Sequence, residues 1–223
     1  MIYRLQIIAV FVLLLLLPVS LFSQTTSFTV LIETSKGNMK CVLYEEASMH
    51  AENFVKLVNE GFFDGMLFHR VIPGFMIQTG DPGSRNAAQG TALGHGGPGY
   101  RVPAEFHPDL YHRKGVLAAA RNGDDINPAK ESSGSQFYIV QGKTITDAEM
   151  DAMESAGNHI TFTPQQRMIY KNLGGAPHLD YSYTVFGELV EGFDVLDKIA
   201  TVPTDNRNRP LQDVKIIRVL ILK

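Results

Sequence analysis

Between residues 27 and 222 the chain is cut into short β-patterned stretches, and its two main helical repeats stand far apart, at the two ends of that run. No β-α-β rhythm is sustained, so a doubly wound sheet is disfavoured against a β-barrel closed by a few helices. Ser27 to Glu33 and Asn38 to Tyr44 alternate and are rich in β-branched residues, with Ser35-Lys36-Gly37-Asn38 as the turn of a hairpin. From Ala47 to Asn59 the period becomes helical through Ala51, Phe54, Val55 and Val58, with Ser48 as N-cap and Gly61 as stop signal. Met66 to Ile72 and Phe75 to Gln78 read as strands bent at Pro73-Gly74, followed by a glycine-rich surface loop from Gly80 to Gly99. Further strands are expected at Val116 to Ala120, Gln136 to Val140, Tyr183 to Phe186 and Val214 to Leu222, and the second main helix at Glu191 to Ile199. Two shorter helices are expected between them, one capped by Thr146 with Glu149 three residues on, the other by Thr163 with Pro164 at its first position.

The first residues read differently. Arg4 precedes an apolar run from Ile7 to Leu17, then Pro18 and the small or polar Ser20, Ser23, Gln24 and Thr25. That order is expected of a signal peptide spanning residues 1–24, leaving one domain over 25–223 exported to the periplasm. The rival is a retained anchor, against which the run falls short of the about 20 apolar residues a bilayer span uses. Cleavage would leave no stable membrane insertion, and the mature chain is expected to be a monomer.

Composition narrows the chemistry. The formal charge is −3 and basic residues are scattered, so no nucleic acid partner is expected. The single cysteine, Cys41, excludes an internal disulfide and reads as a small buried hydrophobe. His107 and His112 sit in a loop without metal-ligand spacing, so no metal and no cofactor is expected. The pair Asp124 and Asp125 lacks the oxygen pattern of a calcium loop, and Gly134-Ser135-Gln136 is no nucleophile elbow. The residues alone thus point to an exported β-rich domain with apolar and amide groups near its loops.

One long stretch goes further. Phe68-His69-Arg70-Val71-Ile72-Pro73-Gly74-Phe75-Met76-Ile77-Gln78-Thr79-Gly80-Asp81 closely resembles the central signature of the cyclophilins. It is followed in order by Gly115 to Ala120, by Ser133-Gly134-Ser135-Gln136-Phe137-Tyr138-Ile139, and by Leu179-Asp180 with Tyr183 to Gly187. The resemblance spans nearly the whole chain after the leader, apart from a partly helical insertion at about 141–177. That insertion is expected to be a solvent cap, with a partner contact as the alternative.

The resemblance implies an eight-stranded antiparallel closed barrel capped by two helices, and a peptidyl-prolyl cis-trans isomerase acting on X-Pro-containing polypeptides. It implies catalytic roles for Arg70, Phe75, Gln78, Gln136 and Tyr138. It implies substrate-binding roles for Met76, Ala120, Arg121, His178, Leu179 and Tyr183. The chain departs from the pattern at several of these positions. Tyr138 stands where many relatives have phenylalanine, Tyr183 where many have histidine, and Arg121 where asparagine is frequent. His178 replaces a tryptophan that strengthens cyclosporin binding in animal members, so weak sensitivity to that drug is expected. A peptide-binding module with little isomerase activity is the alternative.

Overall fold

The computed structural model describes residues 28–157 and 160–222, so the leader expected at 1–24 lies outside the described residues. Ten strands and four α-helices follow in the order β1 (Thr29–Thr34), β2 (Gly37–Leu43), α1 (Ser48–Asn59), β3 (Arg70–Ile72), β4 (Met76–Thr79), β5 (Arg101–Val102), β6 (Val116–Ala119), β7 (Ser132–Ser133), β8 (Phe137–Val140), α2 (Asp147–Ser155), α3 (Pro164–Asn172), β9 (Val185–Glu191), α4 (Phe193–Ala200) and β10 (Ile216–Leu222). Eight strands form one antiparallel sheet in the order β10-β1-β2-β9-β6-β8-β4-β3, and β5 pairs with β7 apart from it. Among the described residues no helix is long and apolar enough to cross a membrane.

Strand alternation builds the core. Val30, Ile32 and Thr34 of β1 and Met39, Cys41 and Leu43 of β2 point inward, with their neighbours partly exposed. Helix α1 adds Ala51, Phe54, Leu57 and Val58, and α4 adds Val195, Leu196, Ile199 and Ala200. Phe54 lies at the centre of an aromatic cluster, its ring 4.9 Å from Phe63, 5.2 Å from Phe137 and 5.6 Å from Phe186. Cys41 is fully buried on β2 and burial pushes its thiol well above the ordinary range. A thiol reagent such as dithionitrobenzoate is accordingly expected to leave the native protein unlabelled and to react stoichiometrically in denaturant. Fast native labelling would contradict this packing.

The sheet departs from the closed barrel expected from the sequence. Its ladder ends at β3 and β10, which do not pair as strands. A single bridge, Leu67 to Lys215, crosses the seam, with Phe68 N donating to Val214 O at 2.9 Å and Ile216 N to Met66 O at 2.8 Å. The reason is local: Met66 to His69 leave the strand conformation, and β3 itself has three residues. Helix α1 also starts differently. Ser48 is its first residue rather than its cap; the Glu105 carboxylate, from a distant loop, accepts from Met49 N at 3.1 Å and His50 N at 2.9 Å. A carboxylate there satisfies two orphan amides and complements the helix dipole.

Thr146 and Thr163 do cap α2 and α3, each in a reciprocal box with Glu149 or Gln166, and Pro164 opens α3. The strand expected from Tyr183 begins at Val185, and Gly192, in the left-handed region at φ 95°, separates β9 from α4.

Candidate functional site

Strands β6 and β8 are buried on both faces. Leu117, Ile139 and Ile77 face the main core; Ala118, Tyr138, Val140 and Met76 face outward into a second apolar cluster with Val116, Ala176 and Val185. Pairing places Arg70 opposite Gln78, Gln78 opposite Tyr138, and Tyr138 opposite Ala118, one row of side chains across four strands. Period-two geometry then puts Met76, Gln78 and Tyr138 on the same outer face.

This face floors a groove of about 570 Å³ lined by Arg70, Phe75, Met76, Gln78, Ala120, Arg121, Tyr138, Leu179 and Tyr183. Phe75 projects from the turn between β3 and β4, Leu179 from a 3-10 turn at Pro177–Leu179, and Tyr183 from the approach to β9. The Gly80 to Gly99 loop forms another wall through Thr91 to Gly94. Gly80 sits at φ 90°, and a Cβ there would meet the Ser135 carbonyl at 2.1 Å, so the chain can turn away beneath Gln136 only with glycine.

The polar side of the groove is a chain of amides. Arg70 Nη1 donates to Gln78 Oε1 at 3.2 Å, and Gln78 Nε2 donates to Gln136 Oε1 at 3.1 Å. Gln136 Nε2 in turn donates to the carbonyls of Gly94 at 2.9 Å and Gly96 at 2.8 Å, tying the glycine loop to the sheet. Gln136 is buried, so its structure-facing role is to hold Gln78 and the loop. Arg70 is half-buried, and among the described residues its side chain bonds only Gln78. Desolvation pulls its guanidinium below the ordinary value, partly offset by the Tyr183 hydroxyl. A fork with five N–H groups therefore stands over an apolar cup with most of its donors uncommitted.

The remaining expected residues divide. Arg121 lines the groove, but its guanidinium is nearly buried, donating to Ser182 O at 2.6 Å and Asn122 O at 2.9 Å and pairing with Asp124. It lies 4.5 Å above the Tyr183 ring and so fixes that wall. His178 does not line the groove; its ring stacks at a tilt behind Phe75, 5.4 Å between centroids. The Tyr138 hydroxyl bonds His112 at 3.0 Å in the buried layer, with the ring as the groove wall. His69, Thr91 to Gly94, Asp205, Arg207 and Arg209 line the groove without having been singled out as site residues. His69 lay inside the signature stretch; the loops carry no motif that would have marked them.

His69 is 5% exposed, and burial drives its imidazole down to about 4 from an ordinary 6.5, with the charge of Asp81 opposing. Between those values the unfolded chain holds a proton that the folded chain does not, so stability falls as pH drops from about 6.5 toward 4. We expect His69→Gln to remove about 2 kcal/mol of the loss that urea unfolding shows between pH 7 and pH 4.5. An unchanged pH slope in that variant would contradict the assignment.

A curled antiparallel sheet carrying an outward apolar cup, with a guanidinium held by Gln78 on its rim, is the architecture of the cyclophilin class. The chain belongs to the cyclophilin type peptidyl-prolyl cis-trans isomerase family, whose model matches residues 29–221. It is 40% identical over 193 residues to a protein of Streptococcus pyogenes serotype M6 named as a bifunctional phosphatase/peptidyl-prolyl cis-trans isomerase, covering 84% of this chain and 37% of that protein. It is 35% identical over 198 residues to a protein of Staphylococcus epidermidis named as a peptidyl-prolyl cis-trans isomerase, covering 86% of this chain and 91% of the relative. The crystal structure of a Cryptosporidium parvum cyclophilin type isomerase superimposes with a TM-score of 0.64 at 25% identity, over 89% of this chain and 99% of that one. A second crystal structure of that protein, in the presence of the dipeptide Ala-Pro, gives a TM-score of 0.62. Among the described residues no group of three His, Cys, Asp or Glu side chains is arranged to hold a metal ion.

Proposed function

We propose that this chain catalyses cis-trans isomerisation of X-Pro bonds in exported, unfolded or flexible polypeptides, with Arg70 as the electrostatic catalyst. The observation that carries this reading is the Arg70 guanidinium, anchored by one bond to Gln78 at 3.2 Å at the rim of the apolar cup.

Isomerisation breaks no covalent bond. Its barrier, about 18–20 kcal/mol, comes from the double-bond character of the amide C–N link. In the twisted transition state the proline nitrogen regains its lone pair, and a guanidinium N–H can donate to it. In the planar ground state that lone pair is delocalised, so the bond forms chiefly where it lowers the barrier. Phe75, Met76, Leu179 and the ring of Tyr138 hold the proline ring. Gln78 steers Arg70, and Gln136 steers Gln78. The backbone of Ala120 and Arg121 and the ring of Tyr183 meet the peptide beside the proline, and His178 supports Phe75 from behind.

The test is the rate of X-Pro exchange in a chromogenic tetrapeptide. Purified protein is expected to accelerate it well above the uncatalysed rate of tens to hundreds of seconds per event. A rate equal to the control, with peptide still bound, would assign the groove to a binding or assembly module instead. Export rests on the apolar leader from Ile7 to Leu17, and N-terminal sequencing of protein from the periplasmic fraction checks it.

A further inference from the structure

Behind the groove wall, four side chains from different parts of the chain meet in a buried line. Asp180 Oδ1 accepts from the backbone N of His112 at 2.8 Å and lies 3.0 Å from its Nδ1. Asp180 Oδ2 accepts from the Tyr170 hydroxyl at 2.6 Å. On the other side of the ring, His112 Nε2 lies 3.0 Å from the Tyr138 hydroxyl. Tyr170 and His112 are fully buried, and Asp180 and Tyr138 are 3% and 4% exposed. With Nδ1–H donated to Asp180, Nε2 is left to accept from the Tyr138 hydroxyl, so each polar atom of the line is used.

Tyr170 belongs to α3, inside the insertion at about 141–177, whereas Tyr138 belongs to β8 and forms the groove wall. The insertion is built to reach this line. Gly175 passes between the His112 carbonyl and the Tyr170 ring so closely that a Cβ would meet them at 2.3 and 2.5 Å. Ala176 N donates to the His112 carbonyl at 2.8 Å. The Tyr170 ring also rests on Tyr111 and Phe162, within the insertion's own small core of Ile145, Met150, Ile160 and Phe162.

We propose that Tyr170 and His112 are positioning residues for the proline-binding wall, and that the insertion, through Tyr170–Asp180–His112, fixes the tilt of the Tyr138 ring in the groove. The inference rests on the isomerase reading for the identity of the peptide, but its physical content is a coupling between α3 and the groove. Where a wall phenylalanine is held by packing alone, Tyr138 is tethered from behind by a hydroxyl. A solvent cap would leave the groove indifferent to Tyr170; a tether would not.

The experiment is a double-mutant cycle of Y170F and Y138F, read by the Kd of a succinyl-Ala-Ala-Pro-Phe peptide in an NMR titration, by its exchange rate, and by thermal unfolding. Y170F is expected to weaken peptide binding about threefold, within what one hydrogen bond carries, and to have no further effect in the Y138F background. Nitrogen-15 spectra of His112 are expected to show the Nδ1–H tautomer in the wild type and a shifted Nε2 resonance in Y170F. A Y170F protein that melts lower while its peptide Kd is unchanged would overturn the proposal, as would equal losses in both backgrounds. Failure of the isomerase reading would appear separately, as a wild-type protein that binds the peptide without accelerating its exchange. The cycle on Kd still decides the coupling in that case.

Discussion

Arg70→Ala is expected to lower kcat/KM for X-Pro exchange about 100-fold while leaving the thermal unfolding midpoint close to that of the wild type. A charge-assisted hydrogen bond contributes about 1.5–3 kcal/mol, and about 1.4 kcal/mol corresponds to a factor of ten, so one lost donor accounts for a loss of this order. The fold should tolerate the change, because among the described residues Arg70 makes a single side-chain bond, to Gln78, has no acidic partner, and bears a desolvation cost. Arg70→Lys is expected to recover only part of the rate, since an ammonium keeps the charge but not the fork that reaches Gln78 and the peptide together. A loss of less than about twofold in Arg70→Ala would remove the guanidinium from the mechanism and leave positioning by the apolar cup as its main content.

Phe54→Ala is expected to be the most damaging of the substitutions considered to stability, costing about 3–5 kcal/mol in urea unfolding at neutral pH. Phe54 is buried among Phe63, Phe137 and Phe186, where α1 meets the sheet, and the vacated space is bounded by rings that cannot all collapse into it. Phe137 and Phe186 lie next to Tyr138 and Val185, which face the groove side, so surviving protein should also bind peptide less tightly. A cost below about 1 kcal/mol would mean that the cluster repacks freely, contrary to the density expected of such a core.

What the sequence could convey follows the range of the forces involved. Alternation in β1 and β2 and the cap boxes at Thr146 and Thr163 are local, and they are readable within a few residues. The cap of α1 is not local: Glu105 reaches Met49 and His50 from more than 50 residues away, so Ser48 was the natural but incorrect choice. The same limit applies to the seam. Apolar content marks Met66 to Ile72 as strand-like, yet whether those residues complete a ladder depends on how Val214 and Lys215 meet them. In the site, the motif stretch placed Arg70, Phe75, Met76 and Gln78 together, and the register of β4 and β8 brings Tyr138 to them. The orientation of a side chain was illegible. Arg121, expected to bind substrate, has its guanidinium bonded to Ser182 and Asp124, and the extra hydroxyl of Tyr138 points to His112.

The pairing of β1 with β10 joins Val30 to Ile221, the opening strand of the described fold to its last. A polypeptide emerging from the ribosome N-terminus first can form the β1–β2 hairpin early, but β1 keeps an open edge until Ile216 to Leu222 have cleared the exit tunnel. At about 5–20 residues per second that interval lasts on the order of 10 seconds or more, during which the inward faces of β1 and β2 lack their final neighbour. The architecture thus sets its own order of assembly: the β1–β2 hairpin is available early, and its outer edge is covered only once β10 arrives to pair with β1.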